Sequence, residues 1–400
     1  MSLEQPEVAM RFVYFAPGDI QVARVDRQVM VYFCEALHQL GVEVELVAMG
    51  IEVMTGEPQA TDPLDLYRLE SRFPVRMVPT SLGQESREYR WGLERLWVHV
   101  REGLRHLTAT QQDGPLVLYT KNYAPALALL VLRSLTGSQA KVIFEAHVPP
   151  KTPLRRFVLS RADGIVANSL ALGSELVAGV GLAPTKVLGV HQGINLELYQ
   201  RIRCSKREAR RHCGLSPEKK YAVYSGKIYW GYQEIEYFLA AARLLDPDVE
   251  LVLVGGREDH VKRYREDLVR QRITNVTLVG FVPPRHVHYY HLAADVLLMY
   301  YPSGIDLNRY RSPGKLFEYM ASGSPIIAAD YPVLREVLGD EGVAMYVPPD
   351  SPNQLAMAIR ELVADQDRAA VLARRALERV GEFTWQARAG KVLQFVAAQG

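Results

Sequence analysis

Short apolar runs alternate with longer stretches of helical period along the whole chain. In the first half the runs at 12–16, 42–48, 116–119, 142–144 and 164–167 read as strands, with a helix over 22–40 that Gly41 ends. A second series starts after residue 215, with strands predicted at 221–224, 249–254, 276–279, 296–299, 326–328 and 344–347 and helices over 234–245 and 260–271. The runs are dense in Val, Leu and Ile instead of alternating with polar residues, as expected of strands buried on both faces of a parallel sheet. The pattern therefore predicts an α/β protein with two doubly wound halves. Residues 384–398 read as a closing amphipathic helix with Trp385 near its start. Neither a fixed-period repeat nor a low-complexity tract is recognised.

Length and composition fit that pattern. Four hundred residues exceed what one hydrophobic core organises, so two domains are expected. A net charge of +2 gives no global field toward nucleic acid or an acidic membrane. Cys34, Cys204 and Cys213 offer neither a disulfide framework nor metal-ligand spacing, which fits a reducing cytosol. The polar first ten residues lead into a strand and predict no signal peptide. The longest apolar run, near 123–132, is far short of the ~20 residues that span a bilayer. The junction is expected near 196–216, where Arg201, Arg203, Lys206, Arg207, Arg210 and Arg211 crowd together and read as a solvated linker entering a short helix.

Ligands of open parallel sheets bind beyond the carboxyl ends of strands, so the residues after each run are the candidates. Pro17, Gly18 and Asp19 form a tight turn after the first strand, and His147 ends another. Gly226 and Lys227 follow the first strand of the second half, where a small residue lets a ligand approach the backbone and a lysine adds charge. Gly255, Gly256 and Val282 follow later strands, and Val282 lies where backbone groups could pair with a nucleobase edge. The segment Ser312-Pro313-Gly314-Lys315-Leu316-Phe317-Glu318 is the most informative. Ser312 is expected to cap a helix, with Pro313 in its first turn. Lys315 then stands where the helix dipole disfavours a cation, a placement that an arriving anion would relieve. Glu318 follows one turn later on the same face, and a carboxylate can accept bonds from both hydroxyls of a ribose. Alone, Lys315 and Glu318 read equally well as a surface ion pair. With Lys227 in the same half, they suit a nucleoside diphosphate. No Gly-x-Gly-x-x-Gly fingerprint supports a dinucleotide dehydrogenase. No motif is read as a metal site, so protein cations are expected to stabilise the leaving diphosphate.

Residues 312–338, SPGKLFEYMASGSPIIAADYPVLREVL, closely resemble the donor-site segment of the family-4 retaining glycosyltransferases. The stretches QVMVYFCEALHQLGVEVELV (28–47), LYTKNYAPALALLVL (118–132), VIFEAH (142–147), HQGINLELY (191–199), VTLVGFVPP (276–284) and AADVLLMYYP (293–302) are similar to the same family in the same order. The resemblance implies the GT-B architecture, two Rossmann-like doubly wound parallel-sheet domains facing across a cleft. It places an acceptor-binding domain at 1–200, a nucleotide-sugar-binding domain at 201–383, and a helix at 384–400 that returns to the first domain. It gives Lys227 the diphosphate, Glu318 the ribose, His147 the transferred sugar, Val282 the base, and Ser312, Pro313 and Gly314 the phosphate and sugar. Lys315 is the expected further catalytic cation, Gly226 lines the donor, and Gly18 and Asp19 line the acceptor side.

Two departures from the family pattern stand out. The first glutamate of its E-x7-E motif falls at Tyr310, so Asp306, Tyr310 or backbone must hold the sugar hydroxyls. The second basic residue usual after the Gly-Lys pair is missing, and Lys315, with Arg309 or Arg311, is the expected replacement. The resulting expectation is a metal-independent retaining glycosyltransferase with no cofactor and a UDP- or GDP-sugar as donor. The acceptor is left open among glycan, lipid-linked glycan and small molecule. A nucleotide-sugar epimerase and an inactive nucleotide-sugar-binding partner are the alternatives. A cytoplasmic location is expected, with peripheral contact at the inner face of the membrane left open through Arg155, Arg156 and Arg161.

Overall fold

The structure, a computed structural model, describes residues 10–16, 18, 20, 25–51, 62, 64–67, 69–80, 89–109, 114–340 and 342–399. Among the described residues thirteen strands form two sheets, and every strand pair in both is parallel. The first sheet contains β1 (Arg11–Phe15), β2 (Glu43–Ile51), β3 (Val75–Thr80), β4 (Leu116–Thr120), β5 (Lys141–Ala146), β6 (Gly164–Ala167) and β7 (Val187–Gly189). Its order is β3-β2-β1-β4-β5-β6-β7. The second contains β8 (Lys220–Ser225), β9 (Val249–Val254), β10 (Val276–Gly280), β11 (Val296–Met299), β12 (Ile326–Ala329) and β13 (Met345–Val347). Its order is β10-β9-β8-β11-β12-β13. Each sheet is thus doubly wound. The order reverses beside its first strand, where β1 meets β4 and β8 meets β11.

Central strands are buried along nearly their whole length, as helices on both faces require. The two strands that the hydrophobic pattern does not predict, β3 and β7, are the outer strands of the first sheet. β7 has three residues, and β3 carries Arg76 and Pro79. Proline is tolerated at an edge because no further strand needs its missing N–H.

The chain divides into two compact units. One runs to Gly193 and resumes at Trp385; the other is Ile194–Thr384. The break at Gly193 precedes the stretch 196–216 where sequence places the junction, and that stretch packs within the second unit. Its basic cluster is only partly solvated. Ser205 and Glu208 cap the helix Lys206–His212, and buried Arg210 donates to Asp295 (2.6 Å) and to the carbonyls of Ala293 and Pro217. The closing helix Trp385–Ala397 lays Trp385, Ala389, Val392 and Val396 on the first unit's apolar core at helical spacing. Cys34, Cys204 and Cys213 are free thiols. Among the described residues no helix is long and apolar enough to cross a membrane.

Candidate functional site

At the carboxyl edge of the second sheet three strand exits meet. The Gly226 N–H donates to the Val254 carbonyl (2.9 Å), and the Gly255 N–H donates to the Gly280 carbonyl (2.7 Å). Gly226 and Gly255 have φ of 156° and 115°. A Cβ on Gly255 would lie 2.1 Å from the Gly226 oxygen, so only glycine allows these two backbones to approach. The helix Gly314–Ser322 is docked onto this edge by Tyr319, whose hydroxyl accepts from the Ser225 N–H at 2.9 Å. That docking carries Lys315 to the end of β8. A Cβ on Gly226 would sit 2.9 Å from Lys315 Nζ.

Lys315 lies in a restricted setting. Its ammonium sits 3.8 Å from the centroid of the Tyr224 ring and 4.0 Å from Glu234 Oε1. Burial, together with the Arg311 guanidinium, lowers its pKa to about 8, while Glu234 and Glu318 oppose the shift. Arg311 in turn stacks 4.0 Å from the Tyr301 ring. One turn beyond Lys315, burial pushes the Glu318 carboxyl up to about 7, against the Tyr199 hydroxyl that donates to it and the charge of Lys315. Tyr199 is fixed edge-on against His288, centroids 4.7 Å apart. The pair is therefore a cation and an acid, both desolvated and both titrating near neutrality. This arrangement is typical of ligand sites and unusual on a plain surface.

The helix begins one residue later than sequence suggests. Its N-cap is Pro313, not Ser312, and no side chain caps it. Pro313 has ψ of 68°, outside the helical range, so winding starts at Gly314. Ser312 is half-buried, Pro313 buried and Gly314 exposed, just ahead of Lys315. Lys227 is exposed beside Gly226 and makes no ion pair among the described residues. Val282 is half-buried against the second unit's core. Asp306 is exposed in the single turn Asp306–Arg309, where no described residue bonds its carboxylate, and Tyr310, half-buried, follows that turn. The structure thus gathers Gly226, Lys315 and Glu318 and leaves Asp306 solvated. Glu234, Tyr224 and Tyr199 join them without having been singled out in the sequence. Glu234 looks like an ordinary acid in a helix's first turn and Tyr224 like core.

In the first unit Gly18 is buried in the bend after β1, and Asp19 lies outside the described residues. His147 follows β5 with both ring nitrogens engaged: Nε2 donates to Glu145 (3.0 Å) and Nδ1 accepts from the Asn168 amide (3.2 Å). Glu145 also accepts from the Tyr119 hydroxyl (2.6 Å) and faces Arg388 of the closing helix at 3.4 Å. Burial opposes its charge, but Arg388 and the bonds from His147 and Tyr119 hold it well below the ordinary carboxylate range. Arg388 further donates to the carbonyls of Val190 (2.7 Å) and His191 (2.8 Å). His147 is thus held by a buried charge pair that the sequence does not announce. Among the described residues no three His, Cys, Asp or Glu side chains converge as a metal site requires.

The model of the Glycosyltransferase Family 4 matches residues 27–198, and that of the Glycosyl transferases group 1 matches residues 219–365. A D-inositol 3-phosphate glycosyltransferase of Streptomyces bingchenggensis is 29% identical over 241 residues, 57% of this chain and 51% of that protein. The match thus spans about half the length of that curated relative. Among solved structures, a sucrose-phosphate synthase from Thermosynechococcus elongatus superposes with a TM-score of 0.71 at 21% identity, covering 97% of this chain and 98% of that one. HepE of Anabaena, in complex with UDP-glucose, superposes at 0.67 with 14% identity, covering 96% of this chain and 99% of that one.

Proposed function

The chain belongs to the family-4 glycosyltransferases, of GT-B type, and on that premise we propose that it moves a sugar from a nucleoside-diphosphate sugar to an acceptor hydroxyl. The transfer retains anomeric configuration and uses no metal ion. The observation that carries this reading is the meeting of Lys315 with Gly226 at the end of β8, with Glu318 one turn further along the helix. A diphosphate offers the anion that this desolvated ammonium lacks, and the adjoining ribose offers two hydroxyls to Glu318. A UDP-sugar is the favoured donor, supported by the HepE structure with UDP-glucose, which shares this fold; a GDP-sugar is the second candidate.

In the proposed reaction the bond between the anomeric carbon and the diphosphate oxygen breaks on the face that the acceptor attacks. The acceptor oxygen bonds to that carbon, and its proton passes to the departing phosphate oxygen. The transition state is oxocarbenium-like, and negative charge grows on the diphosphate. Lys315, with Lys227 and Arg311, is assigned to stabilise that charge, and the backbone at Gly226 and Ser312–Gly314 to line it. Val282 is assigned to the base and His147 to the transferred sugar, with Asp306 or Tyr310 as the further sugar contacts. The unit that ends at Gly193 is assigned the acceptor, with Gly18 and Asp19 on that side. The acceptor is a glycan, a lipid-linked glycan or a small molecule.

Incubation of the protein with UDP-glucose or a GDP-hexose and an acceptor panel tests this reading. Transfer with retained configuration, followed by mass spectrometry and NMR, is expected. An isomerised donor in the absence of acceptor would make the protein an epimerase. Saturable donor binding without transfer would make it a binding partner.

A further inference from the structure

The grip on the second unit contains an acid that sugar transfer does not call for. Glu234 stands in the first turn of the helix Gln233–Ala242, with its side chain 12% exposed. Its Oε1 is 4.0 Å from Lys315 Nζ, beyond hydrogen-bond reach, and no described donor reaches that buried atom. Burial, together with the nearby Glu234 carboxylate, raises the pKa of Tyr224, whose ring underlies Lys315. Glu234 thus places a fixed negative charge, with an unfilled acceptor, on the cation expected to hold a diphosphate. An acid in that position weakens any anion's hold, and a buried acceptor without a partner carries a cost.

Both features make sense if the site must separate two ligands of different charge. A sugar nucleotide's terminal phosphate is linked on both sides, by an anhydride to the other phosphate and by an ester to the sugar. Once the sugar has left, only the anhydride holds it, and its freed terminal oxygen has a second ionisation near pH 6 that adds roughly one negative charge at neutral pH. We propose that Glu234 is a specificity residue that favours the sugar nucleotide over the free nucleoside diphosphate. Its charge repels the extra charge of the product, and its unfilled Oε1 accepts a hydroxyl that only the sugar carries. The spent diphosphate is thereby released and donor competes effectively for the site. This inference rests on reading the site as a nucleotide-sugar grip.

Isothermal titration of the full chain with UDP and with UDP-glucose, and in parallel with GDP and a GDP-hexose, tests it in wild type, Glu234→Gln and Glu234→Ala. Glu234→Gln keeps shape and a carbonyl acceptor while removing the charge. It is expected to tighten the free diphosphate by about tenfold and to change the sugar nucleotide by less than about threefold. Glu234→Ala is expected to tighten the free diphosphate similarly and to weaken the sugar nucleotide. Equal shifts for both ligands, or an unchanged affinity for the free diphosphate, would overturn the role of Glu234 and leave the grip standing. Failure of every nucleoside diphosphate to bind wild-type protein would overturn the grip itself, and this inference with it.

Discussion

Lys315 and Glu318 are each pulled toward neutrality by the site that holds them, and that sets the pH response. On the proposed reading the unliganded protein takes up its donor through the Lys315 ammonium, which is lost as pH rises through about 8. The same reading assigns the ribose to the Glu318 carboxylate, which is gained as pH rises through about 7. The kcat/KM for donor should therefore peak between those values, because that parameter reports the free enzyme. A flat profile from pH 6 to 9 would contradict the assignment. The same shifts act on stability. Glu318 titrates above its ordinary 4.5, so stability is lost between pH 4.5 and about 7. Lys315 titrates below its ordinary 10.5, so stability is gained between about 8 and 10.5. Urea unfolding of Glu318→Gln should show a smaller loss across the lower window. Lys315→Met should cut kcat/KM by about a hundredfold or more while keeping a cooperative thermal transition. Unchanged kinetics would remove Lys315 from the site. Lys315, Glu318 and Gly226 were legible in the sequence because helical spacing and a glycine at a strand end are local signals. Glu234, Tyr224, Tyr199 and Arg388 were not, because each acquires its role from a partner far along the chain.

At the scale of elements, the buried strands announce themselves and the edges do not. Strands such as β8 and β11 read as unbroken apolar runs because both faces are covered. β3 and β7 do not, because an edge tolerates polar residues, proline and short length. The start of the helix Gly314–Ser322 was misplaced by one residue, since Ser-Pro suits a cap by composition while the Pro313 backbone decides otherwise. The closing helix carries a further consequence. Arg388 is its buried link to Glu145 and to the carbonyls of Val190 and His191. Arg388→Met leaves Glu145 buried without its cation, so stability should fall by about 3–5 kcal/mol. Adding Glu145→Gln should restore part of that loss, which chemical denaturation would measure. A single variant as stable as wild type would show that the pair does not anchor this helix.

At the scale of the molecule, two sheets of the same winding order occur in one chain, and both matched family segments fall in chain order. This much of the architecture was legible because α/β alternation is a pattern of many residues and survives errors at any one of them. The cations assigned to the diphosphate are side chains of the second unit. Turnover should therefore be unaffected by EDTA and should not rise with added Mg²⁺ or Mn²⁺; loss of activity in chelator would assign that work to a metal. The most direct test of the grip is a thermal-shift comparison of wild type and Lys315→Met with UDP, GDP and ADP. A ligand that binds only the folded state raises its apparent stability. One nucleoside diphosphate should raise the transition of wild type by several degrees, about 2.7 kcal/mol at a hundredfold excess over Kd, and leave Lys315→Met unshifted. No shift with any of the three, or the same shift in both proteins, would contradict the account.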